Sequence, residues 1–138
     1  MLMARKKSWA EKRDAMHEVE VKTVPEGNRM LPTGGRMLIP NGRAIDAAIR
    51  SIPEGQTMTM PEVRVKLSQQ YGADFTCPIT TGIFVRIVTE AAYEAFNEGM
   101  PIEEVTPVWR VLDAGAPTLK KVSFSPDFIL DQRLREAG

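Results

Sequence analysis

From Asn41 onward apolar residues recur at helical spacing, and each run is closed by glycine or proline. Such a stretch can bury its side chains only as a set of short packed helices. In RAIDAAIRSI, Ile45, Ala48, Ile49 and Ile52 share one helical face, and Pro53 and Gly55 end the run. QTMT alternates polar and apolar residues as a brief strand does. Thr59 then stands as N-cap, Pro61 in the first turn and Glu62 at the capping-box position of a second helix running to Gln70. Its stripe is Val63, Leu67 and Tyr71, with Arg64, Lys66 and Gln69 facing outward.

Gly72 closes that helix, and Thr76 and Pro78 open a longer one that ends at Gly99. Ile79, Ile83, Ile87 and Ala91 are expected to face the core, and Thr81, Gly82, Arg86, Thr89 and Tyr93 to lie on the partly exposed side. Two helices joined by a short turn predict a helix-turn-helix, whose second helix enters the major groove of DNA; many small bundles hold such a pair with no nucleic acid involved. The extended segment TPVWRVL, a turn at Asp113 to Gly115, and a wing over residues 119 to 124 should follow. A last helix opens at Ser125 and Pro126 and holds Phe128, Ile129 and Leu134.

The expected architecture is a mostly helical α+β chain: a winged helix-turn-helix domain over residues 41 to 138, preceded by an arm over residues 1 to 40. The arm combines an amphipathic stretch around Trp9 and Met16 with the run VPEGNRMLPTGGRMLIP, which reads as partly irregular. A length of 138 residues suits one domain. No apolar run approaches a membrane span, and the charged start lacks the pattern of a secretory signal, so a cytoplasmic chain is expected. One cysteine, Cys77, allows no internal disulfide, in keeping with a reducing compartment.

Formal net charge is zero, yet residues 1 to 50 carry ten Lys or Arg against six acids. The remainder is therefore acidic on balance, without the broad basic stripe of a strong nucleic-acid binder. The basic arm could track phosphates, or be a solvated tail packed by Trp9. One Cys and one His cannot furnish a metal site, and no glycine-rich phosphate loop of recognised spacing is present, so neither metal nor cofactor is expected. Cys77 sits before Pro78 at a helix N-terminus, where the dipole favours thiolate; it is a conceivable nucleophile, but a small buried thiol is the commoner case.

Four segments, in order along residues 42 to 138, carry a further pattern: IPEGQTMTMPEV, GIFVR, TPVWRVL and a leucine-bearing helix closing on Glu136, Ala137 and Gly138. Together they resemble the C-terminal domain of the alkylguanine-DNA alkyltransferases and the alkyltransferase-like proteins. The first is similar to that family's Val-Pro-x-Gly-x-x-x-Thr-Tyr-Gly, the second to the Gly-x-x-x-Arg of its recognition helix, and the third to its Pro-Cys-His-Arg-Val. In the family a thiolate takes the alkyl group from guanine, activated by a histidine with a glutamate behind it. Here Val108 stands for the cysteine and Trp109 for the histidine, which removes that chemistry; Ala137 falls at the glutamate position, with Glu136 adjacent.

The resemblance to the cysteine-less branch implies a non-catalytic protein that binds duplex DNA, alkylated guanine included, and hands lesions to downstream repair proteins. It implies that Arg86 enters the base stack as a finger while a base is flipped; an exposed helix charge pairing with Glu90 is the plain alternative. Met60 matches a tyrosine that turns the target phosphate, with Thr59 beside it, and methionine cannot donate a hydrogen bond. Pro61 replaces a glycine and stiffens that approach. Thr81 and Gly82 would join the DNA face. Val108, Trp109 and Arg110 would line the base pocket: of the first two, one should face the core and one the pocket, and Arg110 either braces structure or touches DNA. Other classes stay open, namely a protein-interaction module that kept the scaffold without DNA binding, and an alkyltransferase using Cys77.

Overall fold

The computed structural model describes residues 7–15, 17–29 and 31–138; Met16, part of the expected amphipathic stretch, lies outside them. The chain is a mixed α and β protein. Its order is α1 (Trp9–Arg13), β1 (Glu20–Thr23), β2 (Arg36–Ile39), α2 (Gly42–Arg50), α3 (Met60–Gln70), β3 (Phe75–Thr76), α4 (Pro78–Asn97) and α5 (Asp127–Ala137), with three short 3₁₀ turns between α4 and α5.

Side-chain caps set the starts of α2 and α3, whereas α4 starts at Pro78 without one, Thr76 lying in β3 with its hydroxyl donating to Arg64 C=O. Asn41 accepts the Ala44 N–H to start α2, and Thr59 with Glu62 forms a reciprocal capping box at the start of α3. Gly99, at φ +108°, stands just past α4 in a conformation that a side chain disfavours. At α5 the Ser125 hydroxyl accepts from Asp127 N–H, a partial cap beside Pro126.

The segment expected as an arm is part of the fold. β1 pairs antiparallel with β2, Glu20 opposite Ile39 and Thr23 opposite Arg36, and β2 runs parallel to β3, Leu38 opposite Thr76. Val24 and Leu38 are fully buried in consequence. Val19 and Val21 alternate with charged residues ahead of a Gly34–Gly35 turn, which is the strand signal that a reading by Gly/Pro content passes over.

Three other expectations change. β3 occupies the link between α3 and α4, so residues 71–77 form a strand-bearing crossover instead of a short turn. Residues 119–124 hold no strand: Pro117 opens a 3₁₀ turn over Pro117–Lys120. QTMT is irregular, although Met58 N–H donates to Arg110 C=O at 2.9 Å.

The inward face of α4 is rotated from its expected position. Thr81, Val85, Val88, Thr89 and Ala92 are buried, while Ile79 and Ile83 are 69% and 52% exposed. The threonines belong inside because each hydroxyl donates to the carbonyl one turn back, Thr81 to Cys77 at 2.6 Å and Thr89 to Val85 at 2.7 Å. So satisfied, threonine packs as an apolar residue. The core they complete joins Leu38, Ile45, Ile49, Leu67, Leu112 and Ile129.

Candidate nucleic-acid interface

The segment expected to be extended, Val108–Arg110, is one turn of 3₁₀ helix. A turn spreads successive side chains around an axis and does not alternate them; both Val108 and Trp109 are buried, Val108 within the core and Trp109 where the core meets two clefts. Trp109 packs edge-on to Phe128 with ring centroids 6.3 Å apart. Its Nε1 is buried without a partner in hydrogen-bonding geometry, although it lies near enough to Glu136 to help hold that carboxylate anionic. Clefts of about 310 Å³ and 140 Å³ adjoin the indole. Arg50, Pro107 and Gln132 help line the first, Gly55, Thr57 and Arg133 the second, and Glu136 borders both.

Arg110 is a brace. Its Nε and Nη2 reach the Glu136 carboxylate at 2.9 and 2.8 Å, and its Nη1 donates to Ile52 C=O at 2.7 Å. The two side chains are about 15% exposed. This fork holds the Glu136 carboxyl below its ordinary pKa, chiefly through the Arg110 hydrogen bonds, and raises that of Arg110. Arg133, which sequence reasoning missed, donates to Trp109 C=O at 2.9 Å. Hence residues 52–58, 107–112 and 133–136, three segments distant in sequence, are tied around one indole. Glu136 lies against Trp109, and Ala137 lines the smaller cleft beside it.

The second part of the expected site is α4. Arg86 Nη2 lies 3.6 Å from Glu90, whose buried carboxylate accepts from Ser123 N–H at 3.0 Å and from the Ser123 hydroxyl at 2.7 Å. Arg86 Nε is buried and unpaired, and the guanidinium sits 5.6 Å from the Trp9 ring centroid. Trp9 is held there because Trp9 and Ala10 N–H groups each donate to Glu94 at 3.1 Å. That contact links α1 to α4 over more than eighty residues, and no local pattern signals it.

Of the remaining candidates, Gly82 lies half-exposed beside Arg86, with open space where a Cβ would stand. Thr81 is completely buried and leaves the exposed face. Thr59 is exposed, its hydroxyl engaged with Glu62, and Met60 is half-buried against the core. Cys77 is 8% exposed at the joint of β3 and α4. His17 instead lies against Phe84, ring centroids 5.1 Å apart.

Among the described residues no His, Cys, Asp or Glu cluster could hold a metal ion, and no helix is long and apolar enough to cross a membrane. Comparison with protein-family models, with curated proteins and with solved structures finds no match to this chain.

Proposed function

We propose that this chain is a non-catalytic DNA-binding protein of the alkyltransferase-like kind, a winged helix-turn-helix that works in the cytoplasm on duplex DNA and recognises alkylated guanine by flipping it from the stack. The observation carrying this reading is the convergence on Trp109: three of the segments behind the resemblance meet there, with a carboxylate behind the indole and buried Val108 in place of a nucleophile. The clefts beside Trp109 are the base pocket in this reading. Trp109 is buried, so a flipped base would meet the edge of its indole, and contact in the clefts would offset only part of the few kcal/mol that unstacking costs. Arg86 supplies the wedge, and Thr59 and Met60 meet the phosphate. Downstream repair proteins would act on the bound lesion.

Fluorescence anisotropy of a labelled duplex, with and without one alkylguanine, tests this at two salt concentrations. Tighter binding to the lesion is expected, falling as salt rises, and Arg86→Ala should weaken it by about tenfold or more. Affinity unchanged by Arg86→Ala removes the wedge from the mechanism. Absence of binding at either salt leaves the chain as a protein-interaction module.

A further inference from the structure

The outer face of α4 carries an exposed apolar feature beside Arg86. Ile79 and Ile83, one turn apart, are 69% and 52% exposed, and between them and Arg86 the side-chain-free Gly82 leaves a notch. Trp9 closes the far side, forming a groove of about 590 Å³. Its rim is basic. Lys12, with Nζ 4.1 Å from the Trp9 ring centroid, Arg86 and Lys121 line it, and no acidic residue does. Of the two acids of α4 nearest this face, Glu94 is held by the backbone of α1, and Glu90 is buried, bonded to Ser123 and 3.6 Å from Arg86. A cationic rim around an apolar floor thus stands on a chain whose net charge is zero.

We infer that this groove docks an acidic amphipathic segment of a protein partner, one that lays apolar side chains spaced one helical turn apart over Ile79, Gly82 and Ile83 and carries carboxylates to Lys12, Arg86 and Lys121. The apolar spacing on α4 matches the i, i+4 anchors of helix recognition, and the rim supplies sign complementarity. Exposed isoleucines favour a protein over a nucleic acid, since a phosphate backbone leaves them in water. Arg86 belongs to the rim as well as to the proposed DNA wedge, so peptide and duplex exclude one another.

The test is amide NMR and anisotropy on the full chain with a labelled amphipathic peptide bearing leucines one turn apart and flanking glutamates, and with a twin bearing lysines instead. The acidic peptide should shift the amides of Ile79, Gly82, Ile83 and Lys121 and bind at least about tenfold tighter than its twin. Ile83→Asp, at an exposed position that folding tolerates, should weaken binding of the acidic peptide about tenfold. Equal affinity for both peptides, absence of shifts on this face, or indifference to Ile83→Asp overturns the inference. So does a duplex that shifts these amides when the acidic peptide does not, or a concentration-dependent shift without peptide, which assigns the face to a second copy of the chain.

Discussion

Arg110 and Arg86 each lie against a glutamate, and the two pairs are held in different ways. Arg110 meets Glu136 through two short parallel hydrogen bonds and spends its remaining nitrogen on Ile52 C=O. Every edge of the fork has a partner, and three chain segments lose their mutual freedom as a result. Arg86 approaches Glu90 only to 3.6 Å, while Glu90 is already saturated by Ser123, and its Nε has no partner. An arginine paired on every side is a structural member; one held by a distant carboxylate and an aromatic face can change partners at small cost. The same residue type thus builds one site and remains available at the other.

Removing the tighter fork should have the largest effect. Arg110→Ala leaves the half-buried Glu136 without its cation, and a loss of about 3 kcal/mol is expected in urea unfolding. The pH dependence follows from the sign of the shift. Glu136 has a folded pKa below its unfolded one, so its contribution is full above the usual glutamate range and disappears as pH falls through that range towards the folded value. Glu136→Gln should therefore flatten the acid limb of the stability profile; an unchanged limb would mean that the fork is idle.

A change at Gly42 should have an intermediate effect. Its α-carbon faces the Arg13 backbone so closely that a Cβ would run into the Arg13 carbonyl. Gly42→Ala should cost about 1 to 3 kcal/mol and lift α1 from its seat. The two tryptophans separate the two sites: Trp9 emission should shift to the red while Trp109, buried behind the intact fork, keeps its spectrum. A parallel shift in both would show the sites to be mechanically coupled. The smallest effect belongs to Arg86→Met, expected to cost about 1 kcal/mol: the pair is long at 3.6 Å, and the buried Glu90 carboxylate left behind keeps its hydrogen bonds from Ser123. A larger loss would place Arg86 with Arg110 as a structural member.

Most helix limits were legible because capping is local. Thr59, Glu62 and Pro78 act within one turn of where they stand, and each marks the boundary that the structure shows, whereas Thr76 belongs to β3. The face of α4 was not, because hydropathy counts a threonine hydroxyl as a liability and cannot see it donate to the carbonyl four residues earlier. Strand pairing of β1 and β2 with β3 depends on partners far along the chain, and glycine-rich flanks made that region read as an arm. At the candidate site, the brace role of Arg110 was one of two readings, whereas Arg133, Glu94 and the Trp9 lid have no sequence signature, since each acts on backbone or ring atoms of a remote segment.

The contact from Glu94 to α1 also bears on the order in which the molecule assembles. A five-residue helix cannot persist alone in water, since nucleation costs more than so few hydrogen bonds return. Ser8 and Glu11 make a local box, but the free N–H groups of Trp9 and Ala10 wait for a carboxylate more than eighty residues away. α1 therefore condenses only after α4 exists as a template, which makes it a late structure on the folding path, one whose loss speeds unfolding and leaves the rate of folding almost untouched.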